Sequence, residues 1–460
     1  MPEKTSAKTP HLLRGMKDIP PADQPQWDLL RKNIDALSVS YGFQRIDTPV
    51  MEQTSLFVRS IGKGTDIVEK EMFSFVDQGG DQITLRPEAT AGIARAYIEH
   101  GFMNQPKPVK LYWVGPLFRH ERPQAGRLRQ LWQCDFETLG EAHPVVDAEL
   151  IVIAYHLIKE LGLDPVVQIN SIGDAEDRER YKKALVEYFR PRRNQLSEEV
   201  KKRLQKNPLR VLDAKEEEVR ILVQDAPQIV DFLSAEANTH FVKVLEHLDE
   251  LDIPYVLNPR LVRGLDYYNR TVFEIWSADD EQGHMALGGG GRYDGLIEML
   301  GGQPTPAAGF ALGLERLLMK MRDAQIPMPA APTPRIFIAQ LGDASRKKCL
   351  KLFEELRKAG IHAAHALAKD GIKQQMEAAN RMHVKYTIIL GQKEMIDGTI
   401  LLRDMDNGIQ ETISFEKVIP EVAKRLERSV LKSNHSISIP QAILPQHIDH
   451  ETEEKSKEDD

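Results

Sequence analysis

One short stretch, FRHERPQAGRLRQLWQCDFE (118–137), carries a guanidinium and several carboxylates in strand-like spacing. Side chains alternate faces along a strand, so Arg119 and Glu121 share one side, and Gln133, Asp135 and Glu137 share one side of the returning strand. Charge on a sheet face is costly when buried without partners. The hairpin alone leaves two readings open: a solvated face laced by cross-strand ion pairs, or a polar bed for a charged ligand. LVRGLDYYNRTVFE (261–274) repeats the pattern, with Arg263 among apolar neighbours, a Gly-Leu-Asp turn, then Tyr267 and Tyr268. A strand with a turn and aromatic packing would account for it equally well. GGGGRYDG (288–295) is either a flexible linker or a place where the backbone closely approaches a ligand or helix, and its position before Arg-Tyr-Asp favours the second. GFALGLERLL (309–318) sets Arg316 at the start of a helix after a small-residue strand, and an ordinary surface arginine is the alternative.

Other chemistries are disfavoured. The sequence has no GxxxxGK[ST], no GxGxxG and no HExxH. Its two cysteines, Cys134 and Cys349, form no CxxC, which argues against a disulfide framework and a thiolate zinc site. His362 and His365 lie in a strand-like run without a nearby carboxylate or cysteine, so packing or surface roles are expected and no metal site.

These residues need elements to position them. Trp27, Leu30, Ile34 and Leu37 give a helical period over 22–41, stopped by Gly42, and FQRIDTPV follows as a short strand ended by Pro49. QITLR (82–86), VKLYWVGPLFR (109–119) and RQLWQCDFETLG (129–140) read as strands, the last two as an antiparallel hairpin, with a helix over about 145–161. Residues 175–255, rich in Lys, Glu, Leu and Arg and nearly free of glycine, read as a helical insertion. MPAAPTPR marks a linker at 328–334 after a first domain of 1–327. Beyond it, strands and helices alternate over 335–428 as a small α/β domain, and 429–460 is expected to be a polar, acidic, disordered tail.

At 460 residues, two or three units are expected. A net charge of −8 argues against generic attraction to nucleic acid, so an RNA partner would need local basic patches. No apolar run reaches membrane-spanning length and the first residues lack a secretory apolar core; a cytoplasmic protein is expected.

Together the segments resemble the histidyl-tRNA synthetase family over roughly residues 10–428. RGMKDIPP with YGFQRIDTPVME resembles the first class II motif, which implies a homodimer built on that helix and strand. TLRPEATAG looks like a family element, while FRHERPQAGRLRQ and GFALGLERL resemble the second and third class II motifs; LVRGLDYY and LGGGGRYDGL point to the histidine branch. The implied fold is an α+β catalytic domain on an antiparallel sheet flanked by helices, with a helical insertion and a C-terminal α/β anticodon-binding domain. The implied activity joins histidine to ATP as histidyl-adenylate, with Mg2+ neutralising the pyrophosphate, and then transfers histidine to the 3' end of its tRNA.

The resemblance also assigns roles. Arg119 and Arg263 would be catalytic, holding the α-phosphate and substrate carboxylate, while Glu121 would accept from adenine and Arg316 would hold the terminal phosphates. Glu88, Thr90 and Gln133 would bind the α-amino group; Glu137, Tyr267, Tyr268 and Tyr293 would surround the ring. Gln124, Arg127 and Arg129 would touch the acceptor end of tRNA, and Lys201, Lys202 and Arg203 its phosphates. Many members carry glycine where this chain has Asp135, which either tunes the pocket or pairs with an arginine on the sheet. The rival is a non-catalytic synthetase-like regulator sensing histidine or tRNA, which would usually lack the C-terminal domain and parts of the RGLDYY segment. Both are present here.

Overall fold

The strand pair Val109–Phe118 and Gln130–Leu139 forms the expected antiparallel hairpin, in register from Val109 opposite Leu139 to Phe118 opposite Gln130. The computed structural model describes residues 9–212, 216–280 and 285–433. It divides into two units, Met1–Ala330 and Ala331–Asp460.

In the first unit the hairpin lies in an eight-stranded sheet. The spatial order is Gln44–Arg45, Val109–Phe118, Gln130–Leu139, Ala307–Gly313, Gly288–Arg292, Asn269–Ser277, Pro165–Ser171, Tyr255–Leu257. All the central ladders are antiparallel, and the two edge strands run parallel to their neighbours. Of the expected strand FQRIDTPV only Gln44–Arg45 pairs. The Thr48 and Pro49 carbonyls instead accept from Arg86 Nη1, at 2.7 and 3.2 Å. Proline has no N–H with which to extend a ladder.

Alternation sorts the sheet's two faces. Cys134, Phe136, Phe310 and Leu312 enter the core beneath helices Gln24–Ser40 and Val145–Glu160, with Phe136 stacked on Phe310 at 4.9 Å. Gln133, Asp135 and Glu137 therefore point the other way.

GGGGRYDG is no linker. Gly288–Arg292 is an interior strand, and a Cβ at Gly288 or Gly290 would collide with the carbonyls of Ala311 or Gly309. At Gly289 or Gly291 it would collide with the carbonyls of Phe273 or Thr271. Only glycine lets three backbones pack this closely.

The region 175–255 is mainly helical, with helices Ala175–Phe189, Glu198–Lys206, Glu217–Gln224 and Ala235–Glu250. Asp174 and Asp177 form a capping box on the first, and Ser197 and Ser234 cap two others. The expected boundary at 255 needs correcting. Phe241, Val244 and Leu248 recur at helical spacing and join the core beneath the eight-stranded sheet, so Ala235–Glu250 belongs to the sheet's helical layer and not to an insertion.

In the second unit five strands run in the order Ala363–His365, Ile336–Gln340, Tyr386–Leu390, Thr399–Asp404, Gln410–Ser414. The first three are parallel and the hairpin Thr399–Ser414, missed in the sequence, adds antiparallel strands. His365 packs its ring on Phe353 at 4.7 Å. The last helix is Val418–Ser433, so the tail does not begin at 429; the remainder of that expectation lies outside the described residues. Among the described residues no helix is long and apolar enough to cross a membrane.

A buried ionic cluster ties the glycine strand to the helical layer. Arg292, 0% exposed, donates to Asp147 Oδ2 at 2.5 Å and to Asp294 Oδ1 at 3.0 Å, and His240 Nε2 stands 3.5 Å from Asp147. Burial opposes ionisation of Asp147, yet Arg292 outweighs it and holds the carboxyl below its ordinary pKa. Removing one partner of such a pair strands the other charge. Arg292→Met is expected to destabilise the protein by about 3–5 kcal/mol; urea unfolding followed by tryptophan fluorescence checks this, and a loss under about 1 kcal/mol would refute it.

Candidate active site

The exposed end of the hairpin does not continue as strand. It stops at Phe118, and Arg119 begins a loop whose ends are tied by Arg119 N donating to Arg129 O at 2.9 Å. The expectation that Arg119 and Glu121 share a strand face is thus corrected, but they still approach one another. Glu121 sits between Arg119 and Arg127, at 4.0 and 3.7 Å. Arg119 Nε donates to Pro87 O at 2.7 Å, which fixes its stem.

Arg316 follows the strand Ala307–Gly313 at the third position of helix Leu314–Asp323. Its guanidinium donates to Gly126 O at 3.1 Å and Ala286 O at 2.7 Å. Burial, then the like charges of Arg119 and Arg127, push its pKa below the ordinary value. Arg263 donates to Glu274 Oε1 at 2.6 Å and lies 5.8 Å from the Tyr268 ring.

A second group is acidic. Glu88 Oε1 accepts from Ala91 N at 2.9 Å near the start of helix Thr90–Glu99, while its Oε2 is buried without a partner. Glu137 is 1% exposed and is held by the Thr90 hydroxyl at 2.7 Å and by the Tyr293 hydroxyl. Gly309 lies opposite it, and a Cβ there would strike the Glu137 carboxylate. Tyr267 packs on Tyr268 at 4.7 Å and on Tyr293 at 5.4 Å. Burial first, then neighbouring carboxylates, raise Asp135 and Glu137 well above the ordinary carboxylate range; burial raises Glu88.

Of the sequence-predicted residues, Glu88, Thr90, Arg119, Glu121, Arg127, Gln133, Arg263, Tyr267, Tyr268, Tyr293 and Arg316 line one cavity of about 240 Å³, with Asp135. Glu137 stands behind that wall. Gln124 opens onto a neighbouring cavity beside Trp27 and Trp132, and Arg129 lines neither, its Nε reaching Glu121 O at 3.4 Å. Lys201 and Arg203 pair along their own helix with Glu198 and Glu199, at 2.7 and 2.8 Å. Two residues escaped sequence reasoning. Glu274, the partner of Arg263, was detectable as a lone acid between Phe273 and Ile275 in an apolar strand. Glu315 accepts from Trp132 N through both oxygens, at 3.0 and 2.9 Å, and only the fold brings them together.

The cavity therefore has a guanidinium end and a carboxylate–tyrosine end. It suits a ligand with anionic oxygens at one side and N–H donors at the other. Among the described residues no cluster of His, Cys, Asp and Glu could hold a metal ion.

A polar bed of this kind on an antiparallel sheet, with a separate mixed-sheet domain, is the build of a class II aminoacyl-tRNA synthetase. The family model described as histidyl-tRNA synthetase matches residues 15–317, and the anticodon binding domain matches 335–425. A histidine--tRNA ligase of Dehalococcoides mccartyi is 46% identical over 90% of this chain and 99% of that protein. One from Oceanobacillus iheyensis is 42% identical over 90% and 97%. The crystal structure of apo S. aureus histidyl-tRNA synthetase superposes with a TM-score of 0.75 at 35% identity, covering 90% of this chain and 99% of that one. The chain belongs to the histidyl-tRNA synthetase family.

Burial pushes Glu315 up to about 7, against an ordinary 4.5. The folded state thus prefers the neutral acid; this group's contribution to stability is full below about 4.5 and is lost as pH rises to about 7. Glu315→Gln, neutral throughout, should gain stability relative to the parent protein across that window, on the order of 3 kcal/mol. Denaturant melts at several pH values test this, and a pH-independent difference would contradict it.

Proposed function

We propose that this chain is a histidine–tRNA ligase: it activates histidine with ATP, releasing pyrophosphate, and transfers the histidyl group to its cognate tRNA. The observation that carries this reading is the two-ended cavity. Arg119 and Arg127 repel Arg316 there, and Arg316 is held below its ordinary pKa by burial and by these neighbours. A polyphosphate would relieve that repulsion, and guanidiniums fixed before the reaction would stabilise charge spreading over phosphoryl oxygens.

In this reading Arg119 grips the α-phosphate, Arg316 the terminal phosphates, and Arg263 the phosphate and histidine carboxylate. Glu121 accepts from the adenine amino group. Glu88, Thr90 and Gln133 hold the α-ammonium, and Glu137 with Tyr267, Tyr268 and Tyr293 defines the ring end. A site with buried ring acceptors and hydroxyls disfavours side chains lacking a ring donor, because those groups would be left unpaired. Magnesium enters with ATP, carried on substrate phosphates.

The chain works as a homodimer in the cytoplasm. Val39, Val50 and Met51, at 76%, 42% and 51% exposure, leave apolar surface along the helix and strand expected at the dimer contact. Gln124, Arg127 and Arg129 face the tRNA acceptor end, and residues 335–425 take the anticodon. A non-catalytic sensor is disfavoured because Arg263, the tyrosines and the anticodon-binding match are all retained.

Amino-acid-dependent ATP–pyrophosphate exchange tests the reading: histidine alone among the standard amino acids should support it. Arg263→His should lower exchange by about a thousandfold while calorimetry still detects histidine binding. Exchange near the parental rate would remove Arg263 from the mechanism. No exchange with histidine by the well-folded parent would overturn the ligase reading.

A further inference from the structure

Asp135 lies between Gln133 and Glu137 on one face of the strand Gln130–Leu139 and is only 2% exposed, yet it lines the cavity. Its Oδ1 is buried without a hydrogen-bond partner. The arginines acting on it are Arg119 and Arg86. Both are held elsewhere: Arg119 Nε by Pro87 O at 2.7 Å, and Arg86 by the carbonyls of Thr48 and Pro116 at 2.7 and 2.9 Å. Arg86 also stacks over Trp113 at 4.5 Å.

Glu88 repeats the situation from another element. It is 4% exposed, lines the same cavity, and presents a buried Oε2 without a partner. The two carboxylates repel each other strongly enough to oppose ionisation of Asp135, after burial. Two orphaned acceptors from separate elements, both deficient in positive charge, require donors that the protein does not provide. By contrast, both oxygens of Glu137 already accept, from Thr90 and Tyr293.

We propose that Asp135 is a second acceptor for the α-ammonium of histidine, sharing it with Glu88, and so selects ligands with a free amino group. An ammonium carries three N–H donors and a full charge, so it can serve both orphaned oxygens at once; a ring nitrogen carries one donor at most. This assignment rests on the ligase reading.

The test measures dissociation constants for histidine, histidinol and 3-(imidazol-4-yl)propionate, which lacks the amine, on the full chain and on Asp135→Asn. Histidine and histidinol should bind about tenfold more weakly to the variant, and the amine-free compound should bind as tightly as before or tighter. Equal weakening of all three would assign Asp135 to the ring, and no weakening would show that it is not a ligand group; either overturns the proposal. ATP affinity reports whether the variant is folded, and Asp135→Gly gives the same comparison if Asp135→Asn is not. If the parent chain binds no histidine, the ligase reading itself fails.

Discussion

Four consecutive glycines at 288–291, threaded between two other strands, are the constraint on which the site depends. Every one of them would place a Cβ against a neighbouring carbonyl. Their absence of side chains lets Asn269–Ser277 and Ala307–Gly313 close on the central strand. Arg263, Glu274, Tyr293 and Arg316 can then converge on the face carrying Gln133 and Asp135. The strand ends in Arg292, whose buried pairing with Asp147 anchors it to the helical layer just before Tyr293. Packing and site geometry are thus set by the same eight-residue segment.

The second organising fact is uncompensated charge. The protein interior opposes ionised groups without partners, and a site that tolerates several is arranged for ligands that supply the missing ones. At one end guanidiniums crowd together; at the other, carboxylates and tyrosines are pushed toward their neutral forms. In the proposed reading, an amino acid bound beside a nucleoside triphosphate would match that pattern: its ammonium would meet the acid end, and its carboxylate and the phosphates the basic end. Electrostatic preorganisation of this kind acts where charge develops, without reorganisation during the reaction.

Much of this was legible from residue order. Period-two spacing located the hairpin and the shared face of Gln133, Asp135 and Glu137, and helical spacing located the first helix, Gln24–Ser40. What was not legible depended on contacts distant in sequence. Arg119 lies beyond the strand end because the loop closes through Arg129, and the short edge strand near Pro49 loses its carbonyls to Arg86. Helix Ala235–Glu250 has the composition of the insertion, but its apolar face belongs to the main core. The pairing of Glu315 with Trp132 joins residues 183 positions apart, which no local pattern encodes.

In the proposed function, one cavity holds the amino acid and the nucleotide as parts of a single ligand. Calorimetric titration with a non-hydrolysable histidyl-sulfamoyl adenosine tests it most directly. The two-ended cavity predicts binding at least about a thousandfold tighter than histidine alone, because both ends are occupied at once. Affinity no greater than that of histidine would show that the guanidinium end and the acid end do not serve one ligand.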